Sequence, residues 1–335
     1  MEARASRSFA SRPDRKNLAY INQSLVSDGS LVLSVDERLH PYASEWMPTL
    51  PQALESSRPI GQSIRIDTGS LQRPDDLGNP SLALGRVTAW LRNSGLSAWL
   101  EDETQAVTAS IDLDSGIASI AIDLDHASSP VDVTSLLTIT AGLLLVRTGR
   151  TPVHAGAVVH PVTGSAWLLV GDSHTGKSTT TANLVRAGWS YLSDDYVVLS
   201  RGSSTEVIVE GWPDDFHIDE GWQQGRSTGV RGTLREADLR DGARKETAAL
   251  AGILFPRVDA SLPTEIQPVA GVVGLERIIR QSPWLIADPS RARDVLDLMR
   301  TAASANTADI RLGADTFADP ALLDSVVRHY ADRIP

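Results

Sequence analysis

The clearest alternation of apolar and polar positions lies at residues 105–124, "QAVTASIDLDSGIASIAIDL", two runs of strand period around Asp114-Ser115-Gly116. Successive strand side chains point to opposite faces and Gly supplies a turn, so the stretch predicts a β-hairpin. "GQSIRIDTG" (61–69) alternates in the same way and predicts a strand. Ahead of it, residues 1–60 show weak periodicity with scattered Pro and Ser, and the first twenty read as a frayed arm. Other segments repeat apolar residues at helical spacing. "SLALGRVTAWLRNSG" (81–95) reads as a helix stopping at Gly95, and "SPVDVTSLLTITAGLLLVRTG" (129–149) as a buried helix between Pro130 and Gly149.

From residue 152 the texture changes. "PVHAGAVVH" and "SAWLLVG" are apolar runs joined by "PVTG", an antiparallel pair that leads into a glycine-containing loop. Next, "KSTTTANLVRAG" predicts a helix ended by Gly188, and "WSYLSDDYVVLS" predicts the following strand. Strands are predicted at 249–257 and 308–313, and helices at 270–282, 288–304 and 319–334. "RGSSTE" (201–206) and "QQGRSTGVRG" (223–232) mix Gly, Ser and charge without period, and read as mobile loops.

Composition narrows the classes. At 335 residues, 41% hydrophobic and 22% charged, the chain suits a folded protein with one large core or two moderate ones. The formal charge of -11 has the wrong sign for a nucleic-acid platform, and no basic stripe offsets it. Cys is absent, which excludes disulfides, thiolate metal sites and cysteine nucleophiles together and suits a reducing cytoplasm. The most apolar stretch, 136–147, falls short of the about 20 residues a bilayer span needs, and the N-terminus has no apolar run of signal-peptide length. No membrane contact is therefore expected.

The chemistry concentrates in "GDSHTGKST" (171–179). Gly171, Gly176, Lys177 and Ser178 complete the phosphate-loop pattern G-x4-G-K-[ST] between a predicted strand and a predicted helix. Backbone N–H groups of such a loop, from Gly171 through Asp172, Ser173, His174, Thr175 and Gly176 to Thr179, surround phosphates at a helix N-terminus. Lys177 would reach the β and γ phosphates, and the Ser178 hydroxyl would ligate Mg2+. Asp194-Asp195 follow Lys177 by only 17 and 18 residues, so the next strand can return carboxylates to the phosphate end of the loop.

Three features in order, "VHAGAVV" with His154, "GDSHTGKST", and "YLSDDYVVL" with Asp194 and Asp195, make the chain resemble the bacterial HPr kinase/phosphorylase catalytic domain and its HPr-kinase-like relatives. Those proteins are structurally akin to ATP-dependent phosphoenolpyruvate carboxykinases. The resemblance covers about residues 150–200. It implies an α/β fold with a mixed, P-loop-containing sheet over 151–335; residues 1–150 show no convincing likeness to the N-terminal domain of those enzymes and are expected to form an α+β region that contributes acceptor recognition. It implies that Lys177 and the loop amides hold ATP phosphates, that Ser178 with Asp194 holds Mg2+, and that Asp195, oriented by His154, accepts the proton of the attacking hydroxyl. Two consecutive carboxylates in a regular strand point to opposite faces, so either the strand kinks there or one Asp alone faces the metal. Family members are often oligomeric, which makes a homo-oligomer an expectation of the resemblance alone.

Further candidates come from the same half. Glu210 stands where the family supplies another magnesium-binding acid. Asp214, Asp215, His217, Asp219 and Glu220 form either a metal- or peptide-facing surface or a solvated acidic turn. Arg240, Arg244 and Lys245 are either a phosphate clamp or an exposed basic loop. His174 occupies a loop position that is commonly Gly in the family. His tolerates positive φ better than most residues, so its side chain can point outward, toward ATP or the acceptor at the mouth, while its amide faces phosphate. The Glu-Ile-Arg-Gly-type signature of the dual kinase/phosphorylases is missing. The expected activity is Mg-ATP-dependent transfer to a serine of a peptide or small protein, such as the precursor of a lasso peptide. The rivals are an ATP-binding regulator or scaffold without transfer, and a small-molecule kinase.

Overall fold

The computed structural model describes residues 20–24, 31–39, 61–92, 95–126, 130–203, 205–212, 216–221, 230–234, 236–240 and 242–333. The first nineteen residues, Asp214, Asp215 and residues 223–229 of the second predicted loop lie outside the described residues.

In chain order the first elements are β1 (Tyr20–Ser24), β2 (Leu31–Asp36), β3 (Gln62–Thr68), β4 (Leu82–Leu84), β5 (Val87–Arg92), β6 (Ser97–Asp102), β7 (Val107–Asp112), β8 (Ile117–Ile122) and helix α1 (Pro130–Arg147). Then come β9 (Thr151–Val159), β10 (Ala166–Val170), α2 (Lys177–Arg186), β11 (Ser190–Ser193), β12 (Tyr196–Arg201), β13 (Val207–Gly211), β14 (Phe216–Asp219), β15 (Arg231–Leu234) and α3 (Glu236–Leu239). The last are β16 (Thr247–Val258), β17 (Glu265–Pro268), α4 (Gly271–Arg280), α5 (Trp284–Ala287), α6 (Ala292–Ala303), β18 (Asn306–Leu312), α7 (Ala314–Ala318) and α8 (Pro320–Ala331). The protein is thus mixed α/β, as its patterning predicts. Among the described residues no helix is long and apolar enough to cross a membrane.

Two compact units divide the chain, one holding residues 1–148 and 284–292, the other 149–283 and 293–335. In the first, eight strands form one sheet in the order β1-β2-β3-β8-β7-β6-β5-β4. The pairs β2–β3 and β3–β8 are parallel, and the hairpin β7–β8 is antiparallel with Asp112 opposite Ile117. Alternate residues of these strands, including Ile64, Leu100, Ala109 and Ile120, are buried. Helix α1 packs on β3, β5, β6, β7 and β8. Its Leu136, Leu137, Ala141, Leu143, Leu144 and Leu145 are all buried, the all-round apolar surface of a core helix. Residues 284–292 join this unit because the Trp284 ring lies over Gly142: a Cβ there would stand 2.0 Å from the indole.

In the second unit β10, β16 and β18 run parallel. Because β10 pairs with both β9 and β16, the pairings β10–β9–β12–β13–β16 return to β10 and close a ring of five strands. Val158, Trp167, Leu169, Leu184, Leu254, Ile310 and Val327 fill the space between these strands, α2 and α8. The other side of α2, through Ala182 and Val185, packs on Phe216, Ile218 and Leu234 of the β14–β15 hairpin.

Three predicted elements differ. Residues 81–95 are no helix: β4 and β5 pair antiparallel, Leu84 opposite Val87, around Gly85-Arg86, with Gly85 at φ 58°. A two-residue hairpin turn asks for such a glycine, and Val, Thr and Trp suit strands better than helices. The strand predicted across "WSYLSDDYVVLS" splits into β11 and β12, with a register shift between Tyr191 and Ser193 and a bend at Asp194-Asp195. The helix predicted from residue 288 begins at Ala292, since Asp288 accepts from Ser290 in a turn.

Candidate active site

The loop after β10 sits at the carboxyl ends of the parallel strands, where α/β sheets bind ligands. Its turn needs two unusual residues. His174 has φ 67° and Gly176 has φ 100°. At Gly176 a Cβ would also stand 2.8 Å from Leu312 Cδ1 and 3.1 Å from Val258 Cγ2, so glycine is required twice over. Thr175 Oγ1 donates to the Asp172 carbonyl at 2.9 Å and closes the loop on itself.

Lys177 opens α2 and is 94% buried, at 6% exposure. Its ammonium donates to the carbonyls of Gly171 at 2.8 Å and Asp172 at 3.1 Å. The cation is thereby held across its own loop. Ser178 and Thr179 are half-buried in the first turn of α2.

On the neighbouring strand, His154 Nε2 lies 2.8 Å from Asp195 Oδ1. The imidazole stacks on Tyr196, ring centroids 5.3 Å apart, and Tyr196 leans on Trp212 at 6.2 Å. These rings fix the imidazole plane, because Tyr196 is the register partner of His154 across β9 and β12. Burial by itself raises the Asp195 carboxyl. The hydrogen bond from His154 and the charges of His154, Lys177 and His217 outweigh burial and hold it below the ordinary carboxylate value.

The bend separates the two aspartates. Asp194 is 2% exposed, whereas the Asp195 side chain keeps 42% of its surface open. A register shift and bend beside a site re-aim side chains, which resolves the opposite-face problem of two adjacent strand residues. The structure thus brings His154 and Asp195 together, with Lys177 near enough for its charge to act on the carboxylate, and buries Asp194.

The remaining candidates make contacts of their own. Glu210 is buried, and its Oε1 accepts from Arg150 Nε at 3.1 Å and Ser200 Oγ at 3.3 Å. Arg240 donates to the Trp189 carbonyl at 2.7 Å, a structural tie, and Lys245 is exposed. Asp219 accepts from Gly221 N in its own turn. Among the described residues no group of three or more His, Asp or Glu is placed to hold a metal.

Two residues were not singled out by the sequence for this site. His217, one of the acidic crowd in sequence, is exposed on β14, and its charge acts on Asp195. Gln281 had no signal. Its Nε2 donates to Asp172 Oδ1 at 2.8 Å and its carbonyl accepts from His154 N at 3.0 Å, so one residue tethers both the loop and the histidine strand.

The chain matches no protein-family model and none of the curated proteins. Among solved structures it is similar to the Hpr(Ser) kinase/phosphatase from Coxiella burnetii, at 15% identity and a TM-score of 0.32, over 55% of this chain and 97% of that one. So shallow a likeness assigns no chemistry, which rests on the residues above.

Proposed function

We propose that the protein is a phosphotransferase that uses Mg-ATP to phosphorylate a serine hydroxyl on a peptide or small protein, such as a ribosomally made peptide precursor of the lasso kind. The observation that carries this reading is the His154–Asp195 pair at 2.8 Å within the field of Lys177. Phosphoryl transfer asks for positioned phosphates, neutralised charge and a carboxylate at the acceptor oxygen. The loop amides of Gly171–Thr179 and Lys177 bind the phosphates. Asp195 accepts the hydroxyl proton on Oδ2 while Oδ1 stays bonded to His154, which orients it. Lys177 exchanges its loop carbonyls for phosphate oxygens.

Ser178, through its hydroxyl, and the buried Asp194, through its carboxylate, would hold the Mg2+ of the nucleotide, both being oxygen ligands of the kind that ion prefers. When bound there, the ion would neutralise charge on the transferred group. Glu210 ties its Oε1 to Arg150 and Ser200 and would be a further acid for that ion only through its other oxygen.

The test is mass spectrometry of serine-containing peptides incubated with protein and Mg-ATP. Added phosphate with the wild type, and none with Asp195→Asn that still binds ATP, supports the reading. ATP binding without transfer to any peptide would replace it with a regulatory nucleotide-binding role.

A further inference from the structure

The loop is flanked asymmetrically. On its β9 side stand His154 and Asp195. On its other side β16 and β18 run on past the last residue of β10 and end in Val258 and Leu312, which are register partners. Both touch the position a Cβ would take on Gly176, at 3.1 and 2.8 Å, so they border the loop directly. Leu312 is buried, yet Val258 is 62% exposed and Leu262, on the turn that follows, 47% exposed.

This apolar edge is held rigidly. Asp259 N donates to the Leu312 carbonyl at 3.0 Å, and the Asp259 carboxylate accepts from Ser261 N at 3.1 Å and Ser261 Oγ at 2.6 Å. Thr264 Oγ1 bonds Asp315 at 2.7 Å and accepts from Gly313 N at 2.8 Å, pinning the turn to the end of β18. Exposed apolar side chains on a fixed turn beside a polar loop are the usual composition of a ligand wall.

We infer that Val258, with Leu312 beneath and Leu262 at the rim, forms the wall on which the nucleoside of the bound triphosphate rests. The inference builds on the phosphotransferase reading. There the transferred phosphoryl group must meet Asp195, on the β9 side. The nucleoside is at the other end of the phosphate chain and leaves the loop on the opposite side, against β16 and β18. The flat face of a heterocycle covers Val258 and withdraws it from water, whereas the phosphates make no use of it.

Calorimetric titration of ATP and of inorganic tripolyphosphate, each with Mg2+, into wild type, Val258→Ser, Leu262→Ser and Lys177→Ala tests this. Val258→Ser weakens ATP about tenfold, the factor for losing one valine from an apolar contact, and leaves tripolyphosphate unchanged. Leu262→Ser does the same to a smaller degree. Lys177→Ala weakens both ligands alike. If Val258→Ser weakens both ligands equally, or neither, the wall is elsewhere and the loop reading survives. If the wild type binds neither ligand, the loop reading falls and takes the wall with it.

Discussion

A methyl group on Gly156 would stand 3.1 Å from the main-chain oxygen of Asp194 and 2.9 Å from Thr181 Oγ1. The small residue in "VHAGAVV" is therefore a spacer between strand β9, helix α2 and the aspartate bend. We expect Gly156→Ala to cost about 1–3 kcal/mol by overpacking, and to lower phosphate transfer further by moving Asp195 away from His154. Thermal unfolding and transfer rate, measured on one preparation, separate the two effects. A variant with native stability and native rate would contradict this placement.

Asp195 is expected to be ionised throughout the neutral range, because its folded value is depressed. Its contribution to stability is present above the ordinary carboxylate value and is lost as pH falls through the folded one. No acid limb of the rate near neutrality then belongs to Asp195. His154→Gln removes the strongest depressing partner, so the limb due to Asp195 moves to higher pH. Asp195→Asn lowers the rate by about 10²–10⁴-fold, the usual contribution of a general base. Rate profiles of the three proteins against pH give the comparison.

His174 pays no visible penalty in the sequence pattern, yet its φ of 67° is unfavourable for any side chain. His174→Gly should be at least as stable as wild type, and His174→Val less stable by on the order of 1–2 kcal/mol. Denaturant midpoints of the two variants check the order; the reverse order would mean that the loop takes another backbone in solution.

His160 is expected to make the second unit acid-sensitive. Burial lowers its value; Asp332 and Asp324 oppose this and Arg328 adds to it. Its Nδ1 accepts from Thr163 N at 3.3 Å, its ring meets Trp189 edge-on at 4.8 Å, and Nε2 is 3.8 Å from Asp332 on the chain after α8. A depressed folded value means that the stability it contributes is present above the ordinary histidine value of 6.5 and is lost as pH falls below it. Melting temperature measured between about pH 7 and pH 5 should drop in wild type and drop less in His160→Gln. Equal slopes would refute the role.

Much of this protein was set by local pattern. The phosphate-loop residues, the hairpin β7–β8, the buried helix α1 and the strands around the loop were legible because backbone turns and one-sided burial leave their period in the chain. Residues 81–95 misled for the same reason, since their apolar positions fit both a helix and a strand pair, and the Gly85-Arg86 turn with the strand-favouring Val, Thr and Trp told them apart. What the sequence determined by itself was a phosphate-loop pattern between strand and helix, with carboxylates a short distance on. The tertiary structure alone decided that Asp194 is buried while Asp195 stays open beside His154, that Gln281 ties the loop to that histidine, and that residues 284–292 fold under α1. Those choices depend on packing between segments far apart in the chain, through the register of β9 with β11 and β12 and the fit of Trp284 on Gly142, and such contacts leave no period in a single sequence.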